Sequence, residues 1–177
     1  NKVEILDQTK LPLKENYIVT DDYKIVCNAM KDLSVRGAPA LGVTGAYACV
    51  IAANKIYTDT LSDFKLKFND IANKISSTRP TAVNLSWSVE KIKKIVEDWE
   101  GDTIFLKSRI LKEANDIKND DISRCHRLCD FGSELISQNS NLITICNTGG
   151  LATSGIGTGL GVIQYAQAKG RNPFVYV

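Results

Sequence analysis

The chain has 177 residues, of which 44% are hydrophobic and 24% are charged, a balance typical of a folded protein with one or two domains. Its net charge is only +2, and the lysines and arginines are interspersed with aspartates and glutamates. This pattern excludes intrinsic disorder and gives no support to nucleic-acid binding, which needs a continuous basic surface.

Five cysteines without regular spacing are typical of a reduced, cytoplasmic protein. The N-terminal segment lacks the long apolar core of a signal peptide, and no apolar run is long enough to cross a bilayer. We therefore expect a cytoplasmic protein that is not associated with a membrane.

The predicted elements begin with two short strands, in "ILDQTKLP" and "YIV", joined by a turn that contains proline. A helix starts near Asp22 and ends at "SVRGAPA". Pro39 then opens a second helix, residues 40–55, whose many glycines and alanines predict close packing on all sides. Apolar residues at helical spacing predict two amphipathic helices over residues 64–75 and 85–99.

The second part of the chain changes from helices to an alternation of strand and helix. Asp102 can cap a fifth helix, and "KNDD" predicts a joint after Ile117, followed by a sixth helix. The apolar run Leu142 to Cys146 then predicts a strand. A glycine-rich turn, a helix through Ala168 and a strand in "PFVYV" complete a βαβ unit, the start of a parallel sheet.

These elements predict an α/β protein with two domains. A mostly helical domain with a small antiparallel sheet occupies residues 1–117, and the first part of a parallel-sheet domain occupies residues 118–177. Two strands cannot form a stable parallel sheet by themselves, because such sheets are covered on both faces. We therefore expect the chain to be a fragment, or one half of a larger assembly.

Cys146 is the most prominent candidate for chemistry. The predicted strand delivers it to the carboxyl edge of the sheet, where ligands of α/β folds bind, and a helix start favours thiolate over thiol. Six glycines between residues 149 and 161 predict close approach of a phosphate or sugar to the backbone. Their spacing fits neither the dinucleotide fingerprint nor a P-loop. For the cysteine alone, a buried thiol at a strand end is the alternative.

Two arginines lie beside predicted helix starts. Arg36 precedes Gly37, Ala38 and Pro39, and Arg79 precedes "PTA" at the start of the fourth helix. A guanidinium next to free helix amides suits phosphate, which can accept hydrogen bonds from both. For each arginine alone, the alternative is a solvated loop charge.

Cys125, His126 and Cys129 are an unconvincing metal site. Two thiols and one imidazole do not complete a tetrahedron, and no second pair of ligands is present elsewhere in the sequence. We instead expect a helix face on which the two cysteines are buried one turn apart. No metal and no cofactor are predicted.

Three motifs, "VRGAPALGVTGAY", "RPTAVNLSW" and "CNTGGLATSGIGTGLGVI", occur in this order. Together they resemble the methylthioribose-1-phosphate isomerase family, aldose–ketose isomerases of methionine salvage that are related to the regulatory subunits of initiation factor 2B. The resemblance extends from about Ile5 to the last residue. It implies a helical N-terminal domain, a Rossmann-like domain, a phosphosugar substrate and a homodimer.

The resemblance also implies roles for individual residues. Arg36, Gly37 and Ala38 fall on the first substrate-binding motif, Arg79 falls on the second, and Cys146 falls on the family's catalytic cysteine. The family's catalytic aspartate, a substrate-binding glutamine and an Asn-Lys pair fall beyond the last residue. The fragment alone is therefore expected to be inactive.

One departure from the family pattern is Gly150, which stands where the family has alanine and is expected to leave more room beside the thiol. The resemblance leaves the mechanism open between an enediolate and a direct hydride shift. It also leaves two alternative functions open. One is isomerisation of a related phosphosugar, ribose 1,5-bisphosphate or 5-deoxyribose 1-phosphate, and the other is a non-catalytic regulatory subunit.

Overall fold

The computed structural model describes residues 2–177 and divides the chain into two compact units, Asn1–Ile117 and Lys118–Val177. In the described residues the helices and strands are β1 Val3–Leu6, β2 Tyr17–Thr20, α1 Tyr23–Lys31, α2 Ala38–Asn54, α3 Leu61–Ser76, α4 Val83–Glu97, α5 Thr103–Glu134, β3 Asn141–Ile143, α6 Gly159–Ala168 and β4 Phe174–Tyr176. The predicted combination of a mostly helical region, a small antiparallel sheet and a parallel strand pair is confirmed.

The two sheets have two strands each. β1 pairs antiparallel with β2, with Ile5 opposite Ile18, and a short 3-10 helix, Gln8–Lys10, follows β1. β3 pairs parallel with β4, with Leu142 opposite Val175. The crossover between β3 and β4 contains the glycine-rich segment and α6, which gives the predicted βαβ order.

Helix α2 packs along α4 in the first unit. The sequence of α2, APALGVTGAYACVIAAN, is almost entirely small or apolar. A Cβ on Gly42 would lie 3.0 Å from the carbonyl oxygen of Asn84, and a Cβ on Gly45 would overlap a methyl group of Leu85. The small residues therefore allow the two helices to approach closely, as the sequence predicts.

The other helices of the first unit follow their apolar spacing. Asp22 caps α1, because its carboxylate accepts a hydrogen bond from the amide of Lys24 at 2.9 Å. Phe64 and Phe68 of α3 are fully buried with their rings stacked at 6.1 Å. Asp102 caps α5 by accepting from the amide of Ile104 at 2.6 Å. These starts agree with the predicted ones to within a few residues.

A single helix, α5, replaces the two helices predicted on either side of "KNDD". The segment contains no glycine or proline, and its charged residues are compatible with a solvated helix surface. Asp120 also forms an ion pair with Arg124 one turn later, at 2.7 Å. The predicted break between two helices was therefore wrong, because charge density alone does not break a helix, although the boundary between the two units does follow Ile117.

No helix within residues 2–177 is both long and apolar enough to cross a membrane.

Candidate phosphate and thiol sites

The loop between α1 and α2 carries the first predicted site. Two residues here have positive φ, Leu33 at +62° and Gly37 at +97°. Gly37 is the N-cap of α2 and Ala38 is its first residue. A positive φ is accessible to glycine without steric cost, which explains the glycine at the cap. Arg36 precedes this turn and is exposed.

Arg36 is held by Gln8, a residue that the sequence interpretation did not single out. The guanidinium donates from Nε to Oε1 of Gln8 at 3.4 Å and from Nη2 to the carbonyl oxygen of Gln8 at 3.3 Å. Gln8 is only 6% exposed, and its amide donates to the carbonyl oxygen of Ser34 at 3.0 Å. Residue 8 thus contacts both ends of the segment 34–36.

Arg79 lies in the connection between α3 and α4 and is half-buried. Its Nη1 donates to the carbonyl oxygen of Met30 at 3.1 Å, in the last turn of α1. A cation at that position also stabilises the carbonyl groups at the C-terminus of α1. Both arginines therefore have structural contacts close to the loop between α1 and α2.

The first turns of α2 and α4 lie side by side, because Gly42 meets Asn84 one turn into α2 and at the second residue of α4. The N-caps of these helices are Gly37 and Ala82, and neither makes a side-chain capping hydrogen bond. Two helix starts thus present partial positive charge at the same end of the pair. With Arg36 one residue before its cap and Arg79 three residues before its own, this end is suited to an anion.

Cys146 lies in the second unit, beyond the end of its strand. β3 ends at Ile143, so the strand predicted to reach Cys146 stops three residues earlier. The physical reason is the backbone of Cys146, whose φ of +71° is incompatible with a strand. The amide of Thr144 still donates to the carbonyl oxygen of Tyr176 at 3.0 Å, so the turn begins directly at the sheet edge.

The turn around Cys146 is closed by two threonines. The hydroxyl groups of Thr144 and Thr148 lie 3.2 Å apart, and Oγ1 of Thr148 accepts a hydrogen bond from the amide of Leu160 at 3.1 Å. Thr148 thereby caps α6 in place of the local N-cap Thr158, which makes no side-chain capping bond. Cys146 is the exposed cysteine of the five, and the alternative of a buried thiol is wrong.

Several of the six glycines allow close packing within their own segment and do not leave backbone accessible to a ligand. A Cβ on Gly157, which has a φ of +98°, would lie 2.6 Å from the carbonyl oxygen of Thr148. A Cβ on Gly161 would lie 2.6 Å from the sulfur of Cys129. At Gly150 a Cβ would lie 2.7 Å from the carbonyl oxygen of Gly155, so the glycine there accommodates this backbone contact. The expectation that all six admit a ligand is therefore too broad.

The helix face predicted for Cys125, His126 and Cys129 is confirmed. Both cysteines are buried in α5, and burial raises the pKa of each thiol. His126 is exposed, and its Nδ1 lies 2.7 Å from the hydroxyl group of Tyr165. The three residues therefore contribute to packing and to a contact between α5 and α6.

Two solved structures share this fold. A 5-methylthioribose 1-phosphate isomerase from Pyrococcus horikoshii has a TM-score of 0.89 at 32% identity, covering 96% of this chain and 48% of that one. The delta subunit of translation initiation factor eIF-2B from A. fulgidus has a TM-score of 0.85 at 35% identity, covering 97% of this chain and 50% of that one.

Curated relatives agree with the structural likeness. Methylthioribose-1-phosphate isomerases from Geotalea daltonii and Pelotomaculum thermopropionicum are 38% and 41% identical to this chain over 99% and 98% of its length. This chain spans about half of their length, 51% and 48% respectively. Residues 34–177, which include both arginines and Cys146, match the initiation factor 2 subunit family. The chain belongs to the initiation factor 2 subunit family.

Proposed function

We propose that residues 1–177 form the N-terminal part of an aldose–ketose isomerase that converts 5-methylthioribose 1-phosphate to 5-methylthioribulose 1-phosphate. The observation that carries the proposal is the pair of arginines beside two uncapped helix starts, in a chain similar to curated methylthioribose-1-phosphate isomerases. An exposed cysteine at a sheet edge supports it further.

In this proposal Arg36 and Arg79 bind the C1 phosphate. Gly37 and Ala38 contribute the start of α2, where backbone amides point toward an anion. A dianionic phosphate accepts several hydrogen bonds at once, so guanidinium and amide donors can act together. Keeping the phosphate fixed is required by the reaction, because the sugar ring must open while the phosphate stays attached to C1.

Cys146 is proposed as the catalytic thiol. Ring opening requires a proton on the ring oxygen, after which the C1–O bond of the ring breaks. The hydrogen on C2 must then move to C1, either as a proton through an enediolate or as a hydride. A thiol beside these carbons can take part in the first route or stabilise charge in the second. The proton donor for ring opening is assigned, by the resemblance, to an aspartate downstream of residue 177.

Substituting Cys146 tests this role. In a protein that includes the downstream region, Cys146→Ser should lower kcat far more than it raises KM, because the thiol is assigned to the transition state rather than to binding. Cys27→Ser is the matched control, since Cys27 is buried in the first unit and has no assigned role. Near-normal kcat for Cys146→Ser would remove the thiol from the mechanism.

Substituting the arginines tests phosphate binding. Arg36→Ala and Arg79→Ala should each weaken binding of the phosphorylated substrate by about 1.5–3 kcal/mol, the contribution of a charge-assisted hydrogen bond. Arg127→Ala, at an exposed position of α5, is the control. Unchanged affinity in both arginine variants, measured by titration calorimetry, would mean that they are structural.

The chain by itself should not turn over the substrate, because the proposed acid is absent. Purified residues 1–177 should therefore show no isomerisation of 5-methylthioribose 1-phosphate, and activity should need the downstream half. We propose a homodimer for the protein that contains both halves, which light scattering would test. An active preparation of residues 1–177 would place all the catalytic groups within this chain.

A regulatory role like that of initiation factor 2B is the second candidate, supported by the likeness to the eIF-2B delta subunit from A. fulgidus. A sensor needs the phosphate-binding arginines but does not need Cys146. Turnover of 5-methylthioribose 1-phosphate by the protein with its downstream region separates the two roles. A panel that includes ribose 1,5-bisphosphate and 5-deoxyribose 1-phosphate then identifies the C5 substituent.

A further inference from the structure

Gln8 approaches the guanidinium of Arg36 on one particular edge. Nε and Nη2 form the side edge of an arginine, and both donate to Gln8, one to the side-chain oxygen and one to the backbone carbonyl oxygen. The other edge consists of Nη1 and the second hydrogen of Nη2. Nη1 has no hydrogen-bond acceptor among the described residues 2–177. The end edge of Arg36 is thus the one that remains for an incoming anion.

The position of Gln8 is fixed from several directions. The residue is 6% exposed, and its amide donates to the carbonyl oxygen of Ser34. Asp7 caps the 3-10 helix that contains Gln8, accepting from the amide of Thr9 at 3.0 Å. The hydroxyl group of Thr9 also donates to Asp7, and this hydrogen bond lowers the pKa of the Asp7 carboxyl. A buried residue on a capped turn is well suited to orient a longer, exposed side chain.

A glutamine at this position has a chemical advantage over a carboxylate. An amide oxygen accepts the Nε hydrogen without adding negative charge, so the guanidinium keeps its full positive charge for an anion. A glutamate would form an ion pair with Arg36 and repel a phosphate. The neutral acceptor therefore fits an arginine that is oriented to bind, rather than one that is neutralised as part of the fold.

We infer that Gln8 is a positioning residue for the phosphate site. It occupies the side edge of the Arg36 guanidinium and thereby directs the end edge toward the phosphate. The inference rests on the proposed function, because it takes Arg36 as a phosphate ligand. It adds a residue from the strand region, outside the three motifs, to the machinery of the site. Gln8 itself makes no contact with phosphate in this arrangement.

A double-mutant cycle tests the inference on the protein that includes the downstream region, with inorganic phosphate as the probe, by titration calorimetry at constant ionic strength. Gln8→Met, which keeps the side-chain length but removes the acceptor, should weaken phosphate binding about threefold to tenfold. In an Arg36→Lys background, which lacks Nε, the same change should have no further effect. Thr20→Val is the control. Thr20 is as buried as Gln8, but its hydroxyl group accepts a hydrogen bond from the amide of Asp22 and not from Arg36.

The outcomes separate this inference from the proposed function. If Arg36→Ala weakens phosphate binding but Gln8→Met does not, the positioning role is wrong and the phosphate site remains. If Gln8→Met weakens binding equally with and without the Arg36→Lys substitution, Gln8 acts through general stability and the inference is also overturned. If the unaltered protein with its downstream region binds no phosphate, or Arg36→Ala binds as well as the unaltered protein, both proposals fail.

Discussion

The two units of the chain bury different kinds of side chain. The first unit contains large residues with almost no exposed surface, including Met30, Phe64, Phe68, Leu85 and Ile92. The buried hydrophobic residues of the second unit are Cys125, Cys129, Ile136, Ala152 and Ala166, most of which are small. Since burial stabilises in proportion to apolar area, the first unit gains far more from its core.

The second unit also leaves apolar side chains in contact with solvent. Ile143 is 86% exposed and Phe174 is 60% exposed, although both belong to the parallel strand pair. Its glycine-rich segment instead depends on close backbone packing and on the threonine hydrogen bonds around Cys146. The comparison indicates that Arg36 and Arg79 belong to a unit stabilised by its hydrophobic core, whereas Cys146 belongs to a unit stabilised by local backbone contacts.

The largest expected effect is a loss of core packing in the first unit. Phe68→Ala should lower its free energy of unfolding by about 3–5 kcal/mol, because the side chain is fully buried and stacked on Phe64. Trp87 and Trp99, the two tryptophans of the chain, both lie in this unit, so their fluorescence during urea unfolding reports on it. Phe105→Ala, at a 68% exposed position of α5 in the same unit, should change little. Similar losses in both variants would contradict the burial.

In the second unit, adding a single methyl group at Gly157 should cause the largest loss of stability. Gly157→Ala should destabilise this unit by about 2–3 kcal/mol, because Gly157 has positive φ and its Cβ would overlap the backbone at Thr148 and Gly149. Gly170→Ala also has positive φ but meets nothing within 4 Å, so it isolates the cost of the conformation, about 1 kcal/mol.

Thiol labelling under increasing urea provides the measurement for this pair. Cys129 is buried and its sulfur lies 3.9 Å from the carbonyl oxygen of Gly157, so it becomes reactive when this region opens. Its labelling midpoint should fall more for Gly157→Ala than for Gly170→Ala. Equal midpoints would mean that the cost of alanine at position 157 comes only from the positive φ, and that the close backbone contacts of Gly157 add nothing to it.

Periodicity predicted the helices of the first unit well, because each has an apolar face that packs on the others. Sequence patterns failed to predict where α5 and β3 end, because no residue type marks those positions. "KNDD" contains no residue that breaks a helix, and α5 continues through it. Similarly, Thr144 and Ile145 are β-branched residues that favour a strand, but the positive φ of Cys146 has no signature in the residue type.

The candidate site was predicted only in the residues that carry obvious chemistry. Arg36, Arg79 and Cys146 stand next to glycine, proline or helix starts, which are visible in the sequence. Gln8 is not, because its partner is 28 positions away and a polar residue after a strand normally indicates a turn. The low exposure of Gln8 is the feature that identifies it, and burial becomes known only with the fold.

A smaller effect is expected from Glu113, which connects α4 and α5. Its side chain is 6% exposed and pairs with Lys91 at 2.5 Å and Arg109 at 2.8 Å. Burial alone would raise the pKa of this carboxyl, but the hydrogen bonds from Lys91 and Arg109 outweigh it and the pKa is lowered from the ordinary value of 4.5. The stabilisation is therefore present above that ordinary value and is lost as the pH falls through the lowered pKa.

Glu113→Gln should cost about 1–2 kcal/mol at neutral pH and should make the stability of the first unit less sensitive to acid. Glu4→Gln is a control, because Glu4 is exposed and forms no ion pair within residues 2–177. The measurement is the urea midpoint from tryptophan fluorescence between roughly pH 3 and pH 7, because these values bracket the ordinary pKa of about 4 for carboxyl groups. The same acid sensitivity in Glu113→Gln and in the unaltered chain would assign acid unfolding to other carboxyl groups.

The smallest effect concerns the backbone that leads to Arg36. Leu33 follows the C-cap of α1 with a φ of +62°, the position and conformation in which helices usually place glycine. A leucine in this conformation costs about 1 kcal/mol, and it is 43% exposed, so its side chain recovers only part of that cost by packing.

Leu33→Gly should therefore stabilise the first unit by about 0.5 kcal/mol, because relief of the strained conformation exceeds the added entropy of the unfolded chain. Leu33→Ala loses the same packing while keeping the Cβ, so it should destabilise and serves as the matched control. The tryptophan unfolding midpoint measures both. If Leu33→Gly were instead as destabilising as Leu33→Ala, the contacts of the leucine side chain rather than the backbone conformation would determine stability at this turn. Phosphate affinity measured on the same two variants would then show whether those contacts also hold Arg36 in place.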